Sequence, residues 1–114
     1  MLTNKTIKEH IEKLIEQNEK LKANDYCSDN GLTLKYDFII HSIKLSIRYV
    51  KVIGITINIT LEEKDMAIIN KEVLLNYRCK VDNDNNSVEI KINISTKKLT
   101  LENITNILTN IIIK

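Results

Sequence analysis

Apolar and polar positions alternate most clearly between Val73 and Ser95. Val73, Leu75, Tyr77, Cys79 and Val81 fall on one side going in, and Val88, Ile90, Ile92 and Ile94 coming out. Between them lies Asp82-Asn83-Asp84-Asn85-Asn86, residues that tolerate left-handed backbone angles and hydrogen-bond their own main chain. The pattern predicts a β-hairpin.

The same period of two recurs upstream. Leu32, Leu34, Tyr36, Phe38 and Ile40 alternate with Thr33, Lys35 and Asp37, which predicts a strand with one buried face. Beyond it the parity flips to odd numbers at Ile43, Leu45, Ile47 and Tyr49, so a turn or bulge is expected at His41-Ser42. Odd parity resumes from Ile53 to Leu61. Either one strand bends at Gly54 or two strands meet near Lys51; parity favours the first and ordinary strand length the second, towards which the reading leans.

Helical spacing marks the two ends. Thr6-Ile7-Lys8-Glu9 matches a capping box, and Ile7, Ile11, Leu14, Ile15 and Leu21 form one stripe, predicting a helix to about Lys22. Glu9 with Lys13 and Glu16 with Lys20 stand in the favourable i,i+4 order, worth ~0.2–0.5 kcal/mol each. Positions 7, 11, 14, 18 and 21 also fit a heptad seam with Asn18 at an a-type site. Barely two heptads are present, so packing of the stripe on the chain's own sheet is favoured over a coiled coil. At the other end Thr100 opens a helix with Leu101, Ile104, Ile107, Leu108, Ile111 and Ile112 on one face. Its polar face is nearly uncharged, which suits a sheet better than a membrane surface.

Two segments are less regular. Asn24 to Gly31 reads as a loop rich in turn formers. Leu61 to Asn70 reads as a short helix opened by Thr60-Leu61-Glu62-Glu63, or else Met66 to Asn70 forms a strand. The assembled expectation is a single α+β domain over residues 1–114. It has two layers, an antiparallel sheet of about five strands with an N-terminal and a C-terminal helix packed on one face.

Composition adds constraints. The 114 residues hold 21 Ile, 15 Lys and 14 Asn against 2 Arg, 2 Gly and no Pro or Trp. That bias tracks AT-rich coding and associates the chain with a low-GC bacterium or one of its phages or plasmids. A net charge of +2 does not by itself imply a polyanion partner. No signal-like segment and no apolar run approaching ~18 residues is present, so a cytoplasmic protein without membrane association is expected. Cys27 and Cys79 read as two reduced thiols, and the Asn-x-Ser/Thr triplets at Asn4, Asn58, Asn93 and Asn103 as coincidence in an Asn-rich chain.

Catalytic constellations are not expected. Two glycines cannot build a phosphate-cradling loop. His10 and His41 stand alone, as a helix-boundary and a turn residue. Cys79 alternates with core residues, whereas Cys27 sits among polar ones and is the better candidate for reactivity. Asp82, Asp84 and Asn86 resemble the start of a calcium loop, but Ser87 and Asn93 stand where Gly and Glu are required. Glu62, Glu63 and Asp65 read as a solvated turn. Neither a cofactor nor a metal is expected.

The sharper expectation is a basic sheet face. Alternation sends Lys35, Lys44, Arg48, Arg78, Lys80 and Lys91 away from the core, opposed on the same strands by Asp37 and Glu89, for a face of about +4. Both arginines are there, and the guanidinium fork suits carboxylate or phosphate as an ammonium cannot. The plain alternative is that these cations solvate the sheet and protect it from edge pairing. Aromatics are only 4% of the chain, so stacking platforms for single-stranded nucleic acid are scarce.

The expected function is a small non-catalytic protein-binding module acting through the polar sheet face or a sheet edge. It would be a phage- or plasmid-encoded inhibitor or an assembly or chaperone protein; nucleic-acid binding by the same face is the alternative. The order helix, antiparallel strands, helix is shared by secretion chaperones, phage tail-assembly proteins and small phage inhibitors, and no motif selects among them. A homodimer through a sheet edge or the first helix is a further expectation, since Val50, Val52 and Leu74 fall on the side assigned to solvent.

Overall fold

The computed structural model describes residues 2–22 and 24–113, the first three of the second span by backbone alone. Six strands form one antiparallel sheet: β1 (Asn24–Asp29), β2 (Thr33–Ile40), β3 (Ile43–Val50), β4 (Gly54–Glu62), β5 (Arg78–Asp84) and β6 (Ser87–Ser95). Their spatial order is β1-β2-β3-β4-β6-β5. Helices α1 (Asn4–Gln17), α2 (Lys71–Leu75) and α3 (Leu101–Asn110) pack on one face. The other face carries no helix among the described residues. The fold is the α+β arrangement expected, with six strands where about five were expected.

The additional strand is β1. Its Asn-, Asp- and Ser-rich residues have low strand propensity, but an edge strand needs pairing on one side only, and β2 offers that side. A shift in register between Asn24 and Tyr26 marks a bulge. The turn formers act immediately afterwards: Asn30 Oδ1 accepts from the amides of Leu32 and Thr33, and Gly31 takes φ +86°.

His41 (φ 50°) and Ser42 (φ 68°) form the two-residue turn between β2 and β3, pairing Ile40 with Ile43 and accounting for the parity flip. Residues 43–62 are two strands, reversed over Lys51 to Ile53. Gly54 (φ +129°) lies so close to β6 that a Cβ there would fall 2.1 Å from the Ile94 carbonyl oxygen.

The hairpin of β5 and β6 is shorter at its base and longer at its tip than the alternation implied. Val73 to Leu75 belong to α2, which Asn70 caps by accepting from the Glu72 amide. Val73 is buried while Leu75, on the opposite side of the short helix, is 85% exposed. Helix is needed here for a topological reason. β4 and β5 run parallel on either side of β6, so residues 63–77 must cross over one strand. A 3-10 helix (Glu63–Ile68), a bridge from Ile69 to Ile112 and α2 make that crossing, in place of either the single helix or the strand expected there. At the tip, Asp82 to Asp84 are strand, and the turn is Asn85 (φ 57°) with Asn86.

The cap of α1 lies three residues before the one expected. Thr3 is the cap, accepting from the Thr6 amide at 3.1 Å, and the Thr6 hydroxyl pairs with that of Thr3. The helix ends at Gln17 because Asn18 turns extended and donates to the Leu14 carbonyl, and a 3-10 helix follows (Glu19–Lys22). Ile7, Ile11, Leu14 and Leu21 are buried in the chain's own core, so the heptad seam is filled from within. Lys20 reaches across the layer rather than to Glu16, donating to the carbonyls of Thr109 and Ile112 at the end of α3. At the other end of α3, Thr100 and Asn103 form a reciprocal capping box.

Candidate interaction surface

Register fixes which side chains share the bare face. One row crosses the whole sheet as Ser28, Lys35, Arg48, Thr56, Asn93 and Arg78. The next, along the strand direction, is Asp37, Ser46, Asn58, Lys91 and Lys80 across β2 to β5. Lys35 stands directly opposite Arg48, and Lys80 opposite Lys91. Strands lie ~4.8 Å apart, so Arg48 and Arg78, three strands removed, are separated by roughly 14 Å. Five of the six cations expected on this face are therefore brought together in two neighbouring rows.

Lys44 is not among them. It lies one row further on, with Ile39, Thr60, Glu89 and Asp82. The row beyond that holds Glu62, Ser87 and Asp84. Because β5 continues to Asp84, Asp82 and Asp84 belong to the face rather than to a loop, and Glu62 joins them. The face thus carries six cations and five carboxylates, not an excess of about four positive charges. What distinguishes it is segregation. Lys35, Arg48, Arg78, Lys80 and Lys91 occupy one end, and Glu62, Asp82, Asp84 and Glu89 the other.

Asp37 is the one carboxylate at the basic end, and it is 9% exposed and accepts a hydrogen bond from the Ser46 hydroxyl. A belt of short neutral side chains on β3, β4 and β6 separates the two basic flanks. Within it the Thr56 hydroxyl donates to Asn93 Oδ1 at 3.0 Å, and Asn58 Oδ1 is buried without a partner. Where β5 begins, a cavity of about 380 Å³ opens beside Arg78, lined also by Tyr77, Asn76, Lys98 and Asn103. Tyr77 there accepts from Asn106 and Asn103 caps α3, so both already hold structural bonds.

His10 Nε2 lies 2.6 Å from the Thr105 hydroxyl, joining α1 to α3, and His41 is in the β2–β3 turn. Cys27 is exposed and faces Tyr36, whose hydroxyl donates to Glu12 at 2.7 Å; burial, followed by these two neighbours, pushes the Tyr36 phenol up. Cys79 donates to the carbonyls of Leu74 and Tyr77, and burial raises its thiol above the usual value. Glu62 pairs with Lys64 at 3.4 Å, both side chains exposed. Leu74 packs against the core from α2 instead of facing solvent, whereas Val52 is 84% exposed in the β3–β4 turn.

Sequence reasoning missed Asp82, Asp84 and Glu62 as members of the face. The signal was present, because Lys80, Asp82 and Asp84 continue the strand period, but Asn83, Asn85 and Asn86 gave the stretch the composition of a loop. No helix among the described residues is long and apolar enough to cross a membrane. Compared with known proteins, the chain matches no protein-family model, no curated protein and no solved structure.

Proposed function

We propose that this chain is a small non-catalytic binding module whose bare sheet face docks a protein of complementary, two-signed charge. The observation that carries the reading is the segregation of that face, with cations over Lys35, Arg48 and Lys91 and carboxylates over Glu62, Asp82 and Glu89. Folding needs only that this face be polar; it does not need the two signs sorted to opposite ends. Sorted charge steers a partner and fixes its orientation. A partner carrying an acidic patch beside a basic one satisfies both ends at once, and on this reading the chain is a small inhibitor or assembly factor from a mobile element.

Nucleic acid is the second reading, favoured by the two arginines in one row. A phosphate backbone crossing the face along the strands would meet four carboxylates beyond the basic rows, which argues for protein instead.

The test is affinity capture from extracts of the source cells with wild type and with the Arg48→Glu/Lys91→Glu variant. The reading expects one protein recovered in stoichiometric amount by wild type and lost with the variant, the two having equal melting temperatures. Equal recovery by both, or recovery of nucleic acid alone, would overturn it.

A further inference from the structure

The free edge of the sheet at β5 is self-complementary. β5 is the last strand in the order, so its outer side has no strand beside it among the described residues. Six of its seven residues are exposed, including Val81 at 46%. The strand reads Arg78, Cys79, Lys80, Val81, Asp82, Asn83, Asp84. Its charged residues all lie on the bare face, with positive signs in the first half and negative signs in the second.

We infer that two copies of this chain pair antiparallel through β5, about a two-fold axis at Val81, to make one continuous twelve-stranded sheet. In that register Arg78 faces Asp84 of the second copy and Lys80 faces Asp82, each pair occurring twice by symmetry. Val81 meets its own counterpart on the helix-packed side, covering an apolar side chain that one copy leaves open. The faces match only if the register moves in steps of two residues. One step either way places Lys80 against Lys80 or Asp82 against Asp82, so the Val81 register alone pairs all four charges with opposite sign. Opposite charges directly across a strand pair stabilise and like charges destabilise.

Charges on an edge strand ordinarily keep copies apart. The opposite edge lacks a second sign: β1 (NDYCSD) has no cation in its sequence, so two β1 edges offer no pair of opposite charges. The sign reversal along β5 makes the same device attractive, and the two-fold relation closes the assembly at two copies. Pairing engages Arg78, Lys80, Asp82 and Asp84 and leaves Lys35, Arg48, Lys91, Glu62 and Glu89 open. The inference rests on the β5 edge alone, not on what the face docks, and its test uses no partner extract.

The experiment is sedimentation equilibrium of wild type, Lys80→Asp and Lys80→Asp/Asp82→Lys over a range of concentrations, with melting temperatures for each. Wild type is expected to be a monomer–dimer system. Lys80→Asp sets Asp against Asp at two symmetric places and should weaken the dimer by about tenfold or more. The double exchange restores both pairs and should return affinity to within a few-fold of wild type. A wild type that stays monomeric, one that grows into open chains through unlike edges, or a double exchange that stays as weak as the single variant would overturn the proposal.

Discussion

On the helix-packed face, the row Tyr36, Ile47, Ile57 and Ile92 runs across four strands at no more than 1% exposure. One residue along each strand, on the other face, runs the row Lys35, Arg48, Thr56, Asn93 and Arg78, in which Arg48 and Arg78 stand in solvent. The two rows share a backbone and a register yet answer to different pressures. The first is fixed by packing, since any change of volume there leaves a void or a clash. The second is bound only to remain wet, so the sorting of its charges is free to serve binding.

Substitutions along the strands measure how complete that division is. Ile57→Ala, at the centre of the packed face, should show the largest effect, a loss of about 2–5 kcal/mol in urea unfolding. Gly54→Ala should follow, because the backbone at φ +129° is strained for alanine and the new Cβ would meet the Ile94 carbonyl. Strain alone costs about 1–3 kcal/mol, read as a lower denaturation midpoint. Asp37→Ala tests the one place where the bare face is expected to matter for stability, since it leaves the Ser46 hydroxyl without its acceptor. A loss of about 1–3 kcal/mol is expected there. Arg48→Ala, in the neighbouring row, should stay within about 0.5 kcal/mol of wild type. An effect at Arg48 as large as that at Asp37 would mean the basic rows are built for folding.

Legibility in the sequence divides along the same line. β2, β3, β4 and β6 and the helix α3 were readable because each buries every second, or every third and fourth, residue in apolar surroundings. β1 was not, because NDYCSD carries no apolar alternation and is a strand only by virtue of the edge that β2 presents. Val73, Leu75 and Tyr77 kept strand parity while the chain was helical at 71–75, and only the crossover past β6 required that helix. The six cations were readable on one face from parity alone. The separation of five of them from Glu62, Asp82, Asp84 and Glu89 was not, since it depends on register between strands distant in sequence and on β5 reaching Asp84.

Adding positive charge to the acidic end tests the central claim most directly. Glu89→Lys lies on β6, away from the free edge, and it is to be compared with wild type in binding to the protein that wild type captures and to duplex DNA at low salt. If the sorted face docks a two-signed protein surface, Glu89→Lys weakens capture of that protein even though it makes the face more basic. Capture that strengthens with the extra lysine, together with tighter DNA binding, would contradict the account.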